Sequence, residues 1–567
     1  MDFSRITGTL TNPPARLVIG AVAFIIAVET FFFLYPSPIE FPMDDAYIHF
    51  VYADNLASHG RLFFNDVSET GIGTTSPLWV FLLAGLKLLG IPLPLSAKLL
   101  GALMMITLSS ALYLIFRPVW KSHYLLLAIF LIAISGNLLW FSLSGMDTIL
   151  FLAFGTLSFL AYRYQKWTAL GAAVGLTILA RPEGIILAGA IALVDVWANR
   201  GVRRELIKAM AIGALISVPW FVYIYLRSGY ILPTSAIGKQ FSFDIALGFV
   251  ASRYPVLANF VYLRNLTYPL AWLSYLVLFA LGGKSFPPPF LLDDSAFGVG
   301  SYAPSVWAIP VWLLIVLPLI IATGRWLASA KRWQGWVQDA DSRPLVMFGA
   351  WILLHNIAYM LFFPVIGTAS RYGMMNHLAL WILLAMGASK FEARPVLARM
   401  LTGGLIVMAC VNTLHWNRVY DSNIEHMQAV RIQAAYAYRD LIPEGENCAV
   451  FDIGAIRYFS ARSILDISGL TNPEPFQWLN EHRADAYLVK NGATCLILPG
   501  QANVEDEGWI DFIQILGFDN SQYFTLQESY TFEMDPDRWM VGYIATGNQH
   551  RSVVIYSLEP VKSINSP

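Results

Sequence analysis

Long apolar runs, broken at short intervals by Arg, Lys, Pro and Gly, fill most of residues 17–414. A helix needs about 20 residues to cross about 30 Å of hydrocarbon, and a charge at its centre costs about 3 kcal/mol, so charge-poor runs of that length predict spans. The runs at 17–35, 95–116, 122–141, 148–163, 167–180, 184–198, 207–226, 305–323, 344–363, 374–389 and 397–414 qualify, although some are short. Residues 77–90 are too short and carry Lys87, which predicts an interfacial or re-entrant helix. Two further stretches, 246–262 and 265–283, leave the total at 11 or 13 spans, and Arg253 favours a partly interfacial path for the first. Beyond residue 416 the apolar runs shorten to strand-like pieces, CAVFDI (448–453), SILDIS (463–468) and TCLILP (494–499), with polar, helix-compatible sequence between them. The expected fold class is an α-helical polytopic membrane protein with a C-terminal α/β domain, divided into a transmembrane domain over 1–416 and a soluble domain over 417–567.

Composition removes the alternatives. The 567 residues are 56% hydrophobic and 13% charged, against about 25% charged in soluble proteins, which excludes an ordinary cytosolic enzyme. The 18 Trp suit side chains held at a lipid–water boundary. A net charge of −1 hides an asymmetry, with 27 basic and 18 acidic residues in 1–416 but 10 and 20 in 417–567. The basic groups Arg117/Lys121, Arg163/Lys166, Arg200/Arg203/Arg204/Lys208, Arg325/Lys331/Arg332 and Lys390/Arg394/Arg399 alternate with basic-poor turns, and the positive-inside rule makes those loops cytoplasmic. Loop 36–94, the turns at 141–147, 180–184 and 368–373, the loop from 227 and everything after 416 then face outward. The acidity of that outer domain argues against nucleic acid as a partner. The first apolar run lacks a small-residue cleavage site and reads as an uncleaved anchor with a cytoplasmic N-terminus. Three cysteines exclude a disulfide framework or a Cys-ligated metal as an organising device. Cys448 and Cys495 are expected as unpaired strand cysteines, with a bridge as the alternative if their domain is extracytoplasmic.

Candidate chemistry gathers in the outward-facing segments. FPMDDAYIHFVYADNLASHG (41–60) predicts a short amphipathic helix on the outer membrane surface, started after Pro42, stopped at Gly60, with Asp44 and Asp45 in its first turn. The two carboxylates serve equally as a helix cap, a general base or a cation site. Asp147 in SGMD and Glu183 beside Arg181 in ARPEG fall at the outer ends of spans. Together with Lys239 and Arg371 they suggest a cavity open to lipid and water whose cations suit a lipid-linked phosphate; taken singly, Lys239 and Arg371 also read as snorkelling anchors.

In their order, DDAYIHFVYADNLASHG, GTTSPLW (73–79), SGMD (144–147), LARPEG (179–184), LPTSAIGK (232–239) and RYG (371–373) resemble the GT-C superfamily of integral-membrane glycosyltransferases, especially its bacterial arabinofuranosyltransferase-like and mannosyltransferase-like members. FDIGAIRYFSARSILDISGLTNPE (451–474) is similar to the tail domain of those relatives. The resemblance implies a polyprenyl-phosphate sugar donor, a glycan, lipid or protein acceptor, a bacterial inner-membrane location and an extracytoplasmic C-terminal domain. It further implies that Asp44 is the base or holds a divalent cation such as Mg or Mn, with Asp45 beside it and Asp147 as the second acidic position. An Asp where relatives commonly carry Glu, and the unusual segment 286–304, leave the sugar, hexose or pentose, and the acceptor open.

The chemistry follows without the resemblance. Phosphate is a stable leaving group, so one base with cationic stabilisation suffices for in-line, inverting transfer. The expected roles are Asp44, Asp45 and Asp147 in catalysis, Lys239, Arg371 and Arg181 on the donor phosphate, and His49, Tyr52, Glu183 and Tyr372 on substrate. The alternative is a transporter or flippase of lipid-linked sugars, since Glu29, His355, Asn356 and His377 fall within spans, but no paired hydropathy repeat supports it. A noncatalytic glycan-binding scaffold would leave the outer acids and bases without a purpose.

Overall fold

The computed structural model describes residues 14–35, 39–66, 72–120, 123–235, 272, 310, 312–328, 330–362, 368–481, 483–500, 512–535 and 552–561. Lys239, the stretches 246–262 and 265–283 apart from Trp272, and the segment 286–304 lie outside these residues, and with them the choice between 11 and 13 spans.

The apolar runs fold as helices close to the predicted limits: α1 (Ala15–Leu34), α2 (Asp44–His59), α3 (Pro77–Leu88), α4 (Leu93–Phe116), α5 (His123–Ala133), α6 (Gly136–Leu143), α7 (Thr148–Arg163), α8 (Trp167–Ala180), α9 (Gly184–Asn199), α10 (Arg204–Ser228), α11 (Leu317–Leu327), α12 (Ala330–Gln338), α13 (Arg343–Phe362) and α14 (Met374–Ser389). Among the described residues five helices are long and apolar enough to cross a membrane, or six with α5 and α6 as one span. Shorter apolar helices, including α3, α7, α8 and α9, pack among them. The run 122–141 is bent by 47° between α5 and α6. The break leaves backbone groups that need partners: Asn412 Oδ1 accepts from Gly136 N at 2.9 Å, and the Thr413 hydroxyl donates to the Ile134 carbonyl.

The last span departs most from expectation. In place of 397–414, α15 (Pro395–His426) passes through a π-helical turn, Met427–Ile432, into α16 (Gln433–Asp440), so one helix of 46 residues carries the chain out of the membrane body. It runs unbroken across the expected division at 416/417. Beyond it lies a five-stranded sheet of order β2-β1-β3-β5-β4, built from β1 (Asn447–Val450), β2 (Leu465–Asp466), β3 (Ala493–Pro499), β4 (Phe524–Glu533) and β5 (Ser552–Pro560). β1 pairs parallel with β2 and β3, β5 is antiparallel to β3 and β4, and α17 (Ile453–Ser460) makes the crossover between β1 and β2. Cys448 and Cys495, opposed on β1 and β3 with Cα atoms 4.5 Å apart, form a disulfide. This corrects the expectation of two unpaired thiols, because parallel register brings together residues that sequence separation keeps apart.

Two features place the outer loops. Lys98, near the outer end of α4, donates to the carbonyls of Glu40 (3.0 Å) and Leu143 (2.7 Å) and to the Tyr420 hydroxyl, with Nζ 3.8 Å over the Phe41 ring. One buried ammonium thus ties the approach to α2, the end of α6 and the long helix together. α2 is not an amphipathic helix lying on the membrane surface. Every residue from Ala46 to Ala53 is buried, because outer-domain aromatics cover the face that would have met water: Tyr47 packs on Tyr458 and Phe459 with centroids 5.4 and 5.0 Å apart.

Candidate active site

Polar groups collect at both ends of the helical body. At the basic end, Arg163, Arg203, Arg343, Asp195, Asp341 and Tyr162 form a network around the ends of α4, α7, α9 and α13. At the other end a cavity of about 500 Å³ opens between α2, α9, α13 and the outer domain.

Its lining assembles six of the sequence motifs: Asp45, Ile48 and His49 of α2, Gly73 and Thr75, Met146 and Asp147, Arg181 to Glu183, Leu232 and Ser235, and Arg371 with Tyr372. Gly145 shows why the SGMD turn carries glycine. Its φ is +77°, and a Cβ there would lie 2.7 Å from the Phe41 ring and 2.8 Å from Ala46 Cβ, so only glycine lets this turn meet the start of α2. Trp79 Nε1 donates to the Gly145 carbonyl at 2.8 Å and locks GTTSPLW onto the same turn.

Two ion pairs dominate. Arg371 Nη1 donates to Asp45 Oδ2 at 2.6 Å, and Arg371 Nε is buried with no hydrogen-bond partner among the described residues. Arg181 holds Asp147 through two bonds, 3.2 and 2.9 Å, donates to Thr148 Oγ1 at 2.8 Å and lies 3.7 Å from Glu183. Burial alone would raise the Asp147 carboxyl; the Arg181 charge and hydrogen bonds outweigh it and hold the group below the usual carboxylate value. The Tyr372 ring lies 5.4 Å from one guanidinium and 5.1 Å from the other. Tyr359 donates to Glu183 at 3.1 Å, and His49 Nδ1 lies 3.1 Å from Thr74 Oγ1. The rim carries exposed apolar side chains, with Phe362 72% and Leu232 45% exposed.

Asp45, Asp147, Arg181, Arg371, His49, Glu183 and Tyr372 therefore share one cavity. Asp44 and Tyr52 do not line it. Tyr52 accepts a 2.8 Å bond from Gly73 N and so shapes the loop. Asp44 points the other way: its two oxygens accept 2.7 Å bonds from Gly454 N and Ala455 N at the start of α17. Burial, with Asp452 adding to it, pushes the Asp44 carboxyl up to about 7 against the pull of Arg431 and the two N–H groups. Both Asp44 oxygens face N–H donors, and among the described residues no group of three or more His, Cys, Asp or Glu is placed to share a metal ion. Sequence reading missed Leu470, which the outer domain sends into the cavity wall. Its carbonyl accepts from Thr234 Oγ1 at 2.8 Å, and its loop is shaped by Asp466, whose oxygens accept bonds from Ser468, Gly469 and Thr471. SILDIS (463–468) is expected as a strand; only Leu465–Asp466 form one, and the Asp-x-Ser-Gly-x-Thr sequence then turns the chain toward the cavity.

The family model described as "Domain of unknown function (DUF8728)" matches residues 420–550. No curated protein matches the sequence. Among solved structures, an oligosaccharyltransferase of Archaeoglobus fulgidus tethered to an acceptor peptide is similar at 13% identity, over 96% of this chain and 76% of that one, with a TM-score of 0.51. ArnT of Cupriavidus metallidurans in the apo state is similar at 13% identity over 95% and 98%, with a TM-score of 0.50. The chain is a multi-pass membrane protein whose overall fold is similar to those of both structures.

Proposed function

We propose that the chain is a glycosyltransferase that moves a sugar from a polyprenyl-phosphate donor to a hydroxyl of a cell-envelope glycan, lipid or protein, on the side of the membrane where the outer domain lies. The observation that carries this reading is the joining, in one cavity, of an acid and two arginines with exposed apolar side chains at its rim. A prenyl chain rests against Phe362 and Leu232 while its phosphate meets Arg371 and the sugar fills the space toward Asp45. The motif resemblance and the fold shared with an oligosaccharyltransferase support the same class.

The mechanism assigns Asp45, not Asp44, as the base. Arg371 pairs with Asp45. Donor phosphate competes for that guanidinium, whose Nε has no partner among the described residues and supplies a further N–H, and releases Asp45 from Arg371 so that its carboxylate takes the acceptor hydroxyl proton. The acceptor oxygen forms a bond to the anomeric carbon as the bond to phosphate oxygen breaks on the opposite face, which inverts configuration. The polyprenyl phosphate leaves with the electron pair, stabilised by Arg371. Asp147, held by Arg181, fixes that guanidinium beside Tyr372. Lys239 stays a proposed phosphate partner from sequence alone, and any divalent cation is a question for a chelator. The test is transfer of labelled sugar from a panel of polyprenyl-phosphate donors by detergent-purified protein, wild type against Asp45→Asn, with and without chelator. Transfer by wild type, lost in the variant with donor binding retained, is the expected result. Donor binding without transfer from any donor in the panel refutes it.

A further inference from the structure

Asp44 and Asp45 are consecutive, yet they serve different bodies. One helical position separates them by about 100°, which turns Asp45 into the cavity and Asp44 into the outer domain. The contact at Asp44 is tight. Two adjacent N–H groups at the start of α17 close on its two oxygens, and a Cβ on Gly454 would lie 2.1 Å from the Asp44 backbone oxygen. Asp452, the residue just before α17, pairs with Arg431 of the long helix at 2.6 Å. The same face of α2 is clamped by aromatics: Tyr47 on Phe459, and Phe50 on Tyr458 at 5.9 Å. α2 has no side-chain cap of its own, so the first turn, where Asp45 sits, is held in place from outside.

We infer that Asp44 and Gly454 form a latch through which the outer domain sets the position of Asp45, so that the domain matched by the model of unknown function acts as a positioning element of the transferase site. The inference rests on the reading of Asp45 as the acid. Asp44 touches no substrate; it is a positioning residue. A misplacement of about 1 Å at a reacting group lowers rates by about 100-fold, which sets the size of the expected effect.

The test compares full-length Gly454→Ala and Asp44→Asn with a control that weakens the outer domain elsewhere, the double variant Cys448→Ser/Cys495→Ser. Each is assayed for kcat, for donor KM, for thermal midpoint, and for amide exchange over residues 41–50. Gly454→Ala is expected to lower kcat 10- to 100-fold, leave donor KM within twofold and speed exchange over 41–50. Asp44→Asn, which keeps one acceptor oxygen, should do the same more weakly. The disulfide control should lower the thermal midpoint with kcat unchanged. The latch is overturned if Gly454→Ala keeps wild-type kcat, or if loss of kcat in all three variants simply follows the thermal midpoint. If wild type transfers nothing, the proposed function fails, while the exchange measurement still reads the latch by itself. If Gly454→Ala does not fold, Asp44→Asn decides both arms.

Discussion

The two ends of the helical body are built from the same residue types and do opposite things. At the basic end, Arg163 donates to the Leu114 and Ile115 carbonyls, Arg343 to those of Val337 and Gln338, and Arg203 pairs with Asp195, which also accepts from Tyr162. Those donors are spent on backbone and fixed acids. At the cavity end, Arg371 and Arg181 face side chains around open volume, and Arg371 Nε has no hydrogen-bond partner among the described residues. The difference teaches that a buried Arg–Asp–Tyr cluster is no sign of a site in itself. A guanidinium bonded to helix-end carbonyls staples helices, whereas one bonded to a carboxylate beside a cavity can exchange that partner for a phosphate.

Substitutions can break or sharpen this contrast. The largest effect is expected from Asp45→Asn, which should lower transfer by about 10²–10⁴-fold with donor binding retained; Asp195→Asn at the other end should lower the thermal midpoint and leave kcat of the folded protein nearly unchanged. Equal kcat losses in the two variants would erase the distinction. Arg371→Lys, which removes the fork but keeps the charge, is expected to cost about 10–100-fold in kcat/KM for the donor, whereas Arg343→Lys should show its effect only in thermal unfolding. Leu470→Ala is expected to shift KM about 3- to 10-fold for one of the two substrates, the scale of one hydrophobic contact, and initial rates with donor and acceptor varied in turn identify which. A separate effect concerns stability against pH and leaves the rate comparison aside. A carboxyl raised on folding contributes stability that is complete below its unfolded value and lost as pH rises through its folded value. Asp44, raised from 3.8 to about 7, should therefore lower the thermal midpoint gradually between about pH 4 and pH 7 as pH rises. Asp44→Asn should flatten that slope, and an unchanged slope would remove Asp44 as its source.

Much of the fold was legible because charged, Pro and Gly residues bound each apolar run: α1, α4, α7, α8, α9, α13 and α14 end within a few residues of the expected limits. Part of the Lys and Arg grouping recurs in space, since Arg203 donates to Tyr162 beside Arg163, and Arg163 to the end of α4 near Arg117. The cavity was legible as a set of motifs, and seven of the expected residues converge there. What stayed hidden depends on contacts between distant segments. Nothing in the pair Asp44–Asp45 states which one turns toward the outer domain, because that domain is folded by strands 400 residues later. The burial of α2, the role of Leu470 and the Cys448–Cys495 bridge share that cause. Lys98 was hidden differently: a lone lysine at a span's end reads as a snorkelling anchor until Glu40, Leu143 and Tyr420 are seen around its ammonium.

The helix that leaves the membrane at Pro395–Asp440 is about 70 Å long, of which about 30 Å lies in hydrocarbon. The arm beyond it passes through the π-helical turn Met427–Ile432 and reaches Arg431 after about 25 Å. As a rigid lever it moves Arg431 by about 2 Å for a change of about 5° in the tilt of the span, enough to stretch the 2.6 Å pair with Asp452. If a change in bilayer thickness tilts this span, turnover in vesicles of graded acyl-chain length should pass through a maximum; a flat profile would show that packing of the helix holds its tilt fixed.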